Sequence, residues 1–225
     1  MSSIVADNNT DSLLETTSPD GGLQVVAQQE EKNIIEIKGD DKLGVIGGLL
    51  EDEITTGAGD ATVYTGDGND MIAGGNGNDI FRGGEGDDVI KGGLGNDTLL
   101  GGEGDDVIRS GMAAKPTTPE AATSLVDEGE MPIADVLKGG SGADIFEFSA
   151  SEFGSGTIDK IVDFKDDDFA DTIKIFGVGA EGSVTYDDGT GIVSVNGNLA
   201  IDIGAGQDVS FKQSEFEGDI NWELY

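Results

Sequence analysis

Neither cysteine nor histidine occurs among the 225 residues. The first absence excludes a disulfide framework and a thiol nucleophile, and the two together leave zinc and copper without their usual soft or imidazole ligands. Positive charge is scarce: 12 Lys and Arg stand against 46 Asp and Glu, a formal net charge of −34 at pH 7. Nucleic acid and anionic membrane surfaces are therefore not expected as partners. No apolar stretch approaches the ~18 residues that would suggest a membrane span. The first basic residue is Lys32, so the charged start of a cleaved signal peptide is not expected either. Catalytic groupings are equally thin. Without histidine there is no zincin site and no serine triad, and the nearest serine context, Phe153-Gly154-Ser155-Gly156, lacks the spacing of a nucleophile elbow. The acidic run Asp166-Asp167-Asp168 reads, in so acidic a chain, as solvated or metal-linked rather than glycosidic. No enzyme activity is expected.

What the chain has is glycine, 38 residues of it, and much of it is periodic. Between Thr56 and Glu147 a nine-residue unit recurs: Gly-Gly-x-Gly-(Asn/Asp)-Asp-x-(apolar)-x. It reads GGNGNDIFR from Gly74, GGEGDDVIK from Gly83, GGLGNDTLL from Gly92 and GGEGDDVIR from Gly101. TGAGDATVY from Thr56, TGDGNDMIA from Thr65 and GGSGADIFE from Gly139 flank these. Gly-rich acidic composition alone would suit a disordered linker. Phase-locked aspartates and apolar positions would not, because a linker needs neither.

Positions seven to nine read as a short strand, in which side chains alternate faces, so only the eighth points inward. Those residues are Val63, Ile72, Phe81, Ile90, Leu99, Ile108 and Phe146, all apolar. The ninth positions include Tyr64, Arg82, Lys91, Arg109 and Lys138, which suit a solvated outer face. Positions one to six must reverse the chain, and glycine there allows φ > 0 and lets coils approach to strand spacing, roughly 4.8 Å. The expected fold is all-β, a right-handed parallel β-roll closed by a C-terminal β cap. A strand and a turn make half a coil, so turns stack between repeat n and repeat n+2.

That stacking pairs the sixth-position carboxylates: Asp70 with Asp88, Asp79 with Asp97, Asp88 with Asp106, Asp97 with Asp135, and Asp106 with Asp144. Paired carboxylates repel, and turn carbonyls at the glycines of positions two and four aim at the same space. These are Gly75, Gly77, Gly84, Gly86, Gly93, Gly95, Gly102 and Gly104. A hard dication that takes six to eight oxygens at about 2.3–2.6 Å relieves both problems, which points to Ca²⁺ at about five sites. Magnesium, with stricter octahedral geometry, fits less well. Any site that depends on the Thr56 repeat is expected to be weak, because Ala61 stands where the carboxylate belongs.

Three regions are expected. Residues 1–32 are polar and acidic and read as a disordered tail. Residues 33–147 form the roll, whose first coils are degenerate: Asp52 and Ile54 fall at the sixth and eighth positions of GGLLEDEIT. Within it, residues of about 112–133 read as an extruded loop, carrying Pro116 and Pro119, before the repeat begun at Ser110-Gly111 closes at Asp135. Residues 148–225 carry longer β signals, KIVDF, DTIKIF, SVTYDD, GIVSV and LAIDI, with hairpin turns at Asp187-Asp188-Gly189 and Asn196-Gly197-Asn198.

The tandem GGNGND, GGEGDD and GGLGND units resemble the RTX (repeats-in-toxin, hemolysin-type) family of exported calcium-binding β-roll proteins. The stretch GGSGADIFEFSA, then DKIVDFKDDDFADTIKIFG and DVSFKQSEFEGD, is similar to the cap after the roll in serralysin-type proteases and mannuronan epimerase R-modules. The resemblance implies secretion by a type I ABC exporter through an uncleaved C-terminal signal, with folding on external calcium. The ending Glu223-Leu224-Tyr225 matches that signal's acidic-then-apolar pattern in part. Two functions remain open: a secreted structural, surface, matrix or host-contact protein, or a polysaccharide-binding module using Tyr64, Tyr186, Trp222 and the outward cations.

Overall fold

The computed structural model describes residues 3–7, 14–17, 23–26, 32–38, 42–112, 133–151, 153, 158–164, 170–179, 181–216 and 219–225. Among these there is no helix, so none is long and apolar enough to cross a membrane. The first strands are β1 (Ser3–Asp7), β2 (Leu14–Thr17), β3 (Leu23–Val26), β4 (Ile34–Lys38), β5 (Leu43–Ile46) and β6 (Glu53–Thr55). The repeats supply β7 (Ala61–Asp67), β8 (Met71–Ala73), β9 (Ile80–Glu85), β10 (Val89–Leu94), β11 (Thr98–Glu103), β12 (Val107–Met112), β13 (Ile133–Ser141) and β14 (Ile145–Ser149). Then come β15 (Ile158–Ile161), β16 (Thr172–Phe176), β17 (Val184–Asp187), β18 (Ile192–Val195), β19 (Asn198–Asp202), β20 (Phe211–Phe216) and β21 (Asp219–Leu224).

Successive repeat strands alternate between two sheets, which makes the molecule a parallel β-roll. The first sheet runs β1-β4-β6-β8-β10-β12-β14-β16-β21-β20 and the second β17-β18-β19-β15-β13-β11-β9-β7-β5-β3-β2. Register follows the nonapeptide: Val63 lies opposite Phe81 and Phe81 opposite Leu99, while Ile72 lies opposite Ile90 and Ile90 opposite Ile108. Across the interruption Leu99 meets Leu137 and Ile108 meets Phe146, so the repeat that opens at Ser110 does resume at Asp135. The loop between them lies outside the described residues.

Glycine in the turns narrows the gap between the sheets until one row of eighth-position side chains from each fills it. Phe81, Ile90, Leu99, Ile108, Leu137 and Phe146 are all at 0% exposure. Each such burial stabilises the roll by about 1.5–3 kcal/mol. The ninth-position residues Tyr64, Arg82, Lys91, Arg109 and Lys138 face out, as the alternation requires.

Two regions differ from the sequence reading. In the stretch read as a disordered tail, β3 pairs in parallel with β5, β2 folds back on β3, and β1 pairs antiparallel with β4. Val25 is fully buried there, the inward residue of a short alternating LQVV strand. At the other end, parallel winding continues past Glu147. β15 stacks on β13 and β16 on β14, carrying Ile161 and Ile173 into the core although the turn glycines have ended.

Antiparallel hairpins then finish both sheets, β19-β18-β17 on one and β21-β20 on the other. Asn196 (φ 53°) and Gly197 (φ 78°) both sit in the left-handed region that a tight two-residue hairpin requires. The strand expected over KIVDF stops at Ile161. Asp163 turns instead to accept the N–H groups of Gly139 and Gly140, at 3.1 and 2.9 Å.

Candidate metal centre

Each sixth-position aspartate closes a turn and immediately precedes or opens a strand, so its backbone is fixed by the sheet and its side chain lies inside the turn. Oδ1 of each accepts the backbone N–H of the corresponding residue one coil earlier. Along the turns that lead into the first sheet the ladder runs Asn33→Asp52→Asp70→Asp88→Asp106→Asp144→Asp171, with N···O distances of 2.7–3.1 Å. Along the turns into the second sheet it runs Ala61→Asp79→Asp97→Asp135→Asp159, at 2.7–3.2 Å. Every pairing read from the sequence is therefore a neighbour pair in the roll. Ala61 does not break its ladder, because the acceptor for its N–H comes from the coil above.

The second carboxylate oxygen behaves differently. Oδ2 of Asp70, Asp79, Asp88, Asp97 and Asp106 is buried with no hydrogen-bond partner. Its surroundings are oxygen. Oδ2 of Asp88 and the carbonyl oxygen of Gly101 share the space that a side chain on Gly83 would occupy. Asp97 Oδ2 and the Ser110 carbonyl share that of Gly92, and Asp106 Oδ2 and the Gly139 carbonyl that of Gly101. Where threonine replaces the first glycine, the Thr65 hydroxyl donates to the Gly83 carbonyl at 3.1 Å. A slot in which acceptors outnumber donors is satisfied by a cation or a proton. Oxygen-only lining suits a hard cation.

A second ladder, at position five, isolates what is special about position six. The side-chain Oδ1 of Asp60, Asn69, Asn78, Asp87 and Asp105 accepts the N–H of the fifth residue one coil later, at 2.9–3.1 Å. These side chains are exposed. One acceptor oxygen is all that position needs, so Asn and Asp alternate freely. At position six an amide could have given the same ladder bond and also donated into the oxygen-lined slot. The sequence nevertheless places Asp there in every repeat except that of Ala61. The residue retained is the one that a dry, metal-free turn would disfavour.

Electrostatics agree. Burial, partly offset by the incoming N–H bond, pushes Asp79 and Asp88 up to about 7, Asp97 to about 6 and Asp106 to about 8. Asp159 rises to about 7 and Asp70 rises as well, for the same reason. A metal-free carboxylate in these turns is thus reluctant to ionise near neutrality.

Among the described residues no three acidic side chains converge on one point. Any ion here must therefore draw most of its ligands from backbone carbonyls, with carboxylates contributing one or two. The glycines named from the sequence explain the crowding. Gly86 (φ 125°) and Gly104 (φ 124°) sit in the left-handed region, and a Cβ on either would run into the carbonyl of Gly68 or Gly86 one coil earlier. Gly77, Gly84, Gly93, Gly95 and Gly102 share that conformation, whereas Gly75 is outside it but still packs its Cα over the Gly57 carbonyl. Sequence reading missed Asp159 and Asp171, which extend the two ladders. Their signal is a surviving Asp-x-apolar triplet, Asp159-Lys160-Ile161 and Asp171-Thr172-Ile173, without the glycines.

Residues 46–81, 82–112 and 134–150 match the family model described as "RTX calcium-binding nonapeptide repeat (4 copies)". The chain carries RTX calcium-binding repeats. The position-six aspartates from Asp52 to Asp144 fall within the matched residues, and the repeats of that model are calcium-binding. The match ends at residue 150, and neither a curated protein nor a solved structure matches the chain.

Proposed function

We propose that this is a secreted protein whose roll folds as calcium fills its turns, and whose work is structural: at a cell surface, in a matrix or in contact with a host. The observation that carries this reading is the set of buried, unpartnered Oδ2 atoms of Asp70, Asp79, Asp88, Asp97 and Asp106. Asp135 and Asp144 continue the same ladders. These seven aspartates, with carbonyls of the adjoining turn glycines, are the residues that would hold calcium, at about five sites. Bound calcium supplies the positive charge that the acceptor-lined turns lack. The chain's own residues do the rest: Oδ1 fixes each carboxylate by its ladder bond, the glycines let the carbonyls approach, and the core excludes water from one side.

Metal-dependent folding also suits passage through a type I ABC exporter as an extended chain, with calcium outside the cell completing the fold. Equilibrium dialysis in calcium tests the binding part, with about five ions per chain expected. Co-expression with such an exporter tests the route: calcium-dependent accumulation of the intact chain in the medium supports it, and retention in the cell with a functional exporter contradicts it.

A polysaccharide-binding role is favoured by one observation. The Arg82 guanidinium lies 5.3 Å from the centroid of the exposed Tyr64 ring on the outer face of the second sheet. Arg109, by contrast, is engaged by Glu147 at 2.6 Å. Saturable binding to one polymer on a glycan array in calcium, lost in Tyr64→Ala, would favour this second role.

A further inference from the structure

The two edges of the roll are built alike at position six and differently around it. In the turns that lead into the first sheet, positions three and five carry six acids, Glu51, Asp67, Glu85, Asp87, Glu103 and Asp105, beside the neutral Leu49, Asn69, Ser141 and Ala143. In the turns that lead into the second sheet the same positions carry Ala58, Asn76, Asn78, Leu94 and Asn96, with Asp60 the one acid. All these side chains are exposed except the half-buried Ala143. Neither set of turns contains Lys or Arg. On the acidic edge the charges are stacked, not scattered. Asp67 lies in register opposite Glu85 and Glu85 opposite Glu103, while Asp87 accepts from the Asp105 backbone at 2.9 Å. On the other edge the equivalent rung is Asn76 opposite Leu94. Like charges held at strand spacing repel, and a nearby cation relieves that repulsion.

Resting on the calcium reading above, we propose that the edge bearing Asp70, Asp88 and Asp106 binds calcium more tightly than the edge bearing Asp79 and Asp97. The roll therefore loads one edge before the other. Both edges present the same inner carboxylates with unpartnered Oδ2 atoms. Their difference lies in the outer carboxylates, which raise the local concentration of a dication and give up mutual repulsion when it binds. Calcium affinity in protein sites is tuned by charge count in this way. Exposed charges are screened by salt, so the difference between the edges shrinks as ionic strength rises.

The position-five ladder provides a clean test, since Asn and Asp make the same bond there: Asn69 and Asn78 accept as Asp87 and Asp105 do. Charge can be moved between edges without removing a hydrogen bond. The experiment is a calcium titration of the full chain at low ionic strength, followed through the amide NMR signals of Gly86 and Gly104 on one edge and Gly77 and Gly95 on the other. The Gly86 and Gly104 signals of the loaded fold should reach completion at free calcium roughly threefold or more below that needed for Gly77 and Gly95. Asp87→Asn with Asp105→Asn should narrow that gap from the tight side, and Asn78→Asp with Asn96→Asp from the weak side. The proposal is overturned if both glycine pairs titrate together in the unaltered chain, or if each double variant shifts both edges equally. Calcium binding with no gap leaves the general calcium reading intact; no response of any glycine to calcium would overturn both.

Discussion

The backbone N–H of Asp88 donates to Oδ1 of Asp106 at 2.8 Å, while Oδ2 of Asp106 is buried without a partner. One oxygen of the carboxylate therefore serves the fold and the other waits for charge. This division of labour between two atoms of one side chain predicts that removing the charge and removing the side chain have different effects.

Asp106→Asn keeps an acceptor for the Asp88 N–H and replaces the unpartnered anionic oxygen by a donor. In EGTA the variant should be more stable than the unaltered chain, by about 1–3 kcal/mol for relief of one buried unsatisfied group. In calcium it should be less stable. Asp106→Ala, which loses both oxygens, should gain less in EGTA because the Asp88 N–H is orphaned. Residual far-UV β signal of the three proteins in EGTA and their thermal melts in calcium check the crossing order.

Protonation should partly replace metal. The folded-state values of Asp79, Asp88, Asp97 and Asp106, about 6 to 8, lie above the ordinary 3.8 because of burial. The folded form then binds more protons than the unfolded one, so this contribution to stability is fully present below about pH 4 and is lost as pH rises through about 6 to 8. In EGTA, β structure should increase on acidification from about pH 8 to about pH 5. In calcium the trend reverses, since protons compete for the same oxygens, and the calcium midpoint should fall as pH rises. Far-UV circular dichroism across pH in the two buffers measures both.

Much of this was legible because the repeat writes three things at fixed phase. The eighth-position residues Phe81 and Ile108 announced the core, the ninth-position Arg82 and Lys91 the outer face, and Asp79 with Asp97 the stacked turns. Where the period failed, so did the reading. Asp159 and Asp171 join the ladders through their Oδ1 atoms, but only an Asp-x-apolar triplet and no turn glycines flag them, so the roll looked finished at Glu147. β1 to β3 lie in a polar segment whose only inward signal is a brief alternation ending in Val25-Val26. The position-five ladder was visible as free exchange of Asn for Asp, a pattern that reads as loose spacing until its acceptor oxygen is seen at work.

Glycine in the turns is a steric requirement and its loss should be costly. Gly104→Ala places a methyl group against the Gly86 carbonyl at a φ of 124°. A cost of at least about 1–3 kcal/mol is expected from the backbone conformation alone. A substitution at the exposed, unstrained Asn96 should cost far less. Calcium-loaded melting of the two variants provides the comparison.

The core row should be sensitive in the calcium-loaded state. Phe81 is fully buried between the sheets, and its register neighbours Val63 and Leu99 cannot expand to fill the gap. Phe81→Ala should destabilise the loaded roll by about 3–5 kcal/mol. Denaturant titration in saturating calcium reads that loss directly.

The most direct test of the account compares the circular dichroism spectrum and melting curve of the unaltered chain at neutral pH in excess EGTA and in ~5 mM Ca²⁺, a concentration above the dissociation constants of extracellular calcium modules. Little β signal and no cooperative melt in EGTA, with a full β spectrum and a cooperative melt in calcium, is the predicted result. The same spectrum and the same melting curve in both buffers would contradict it.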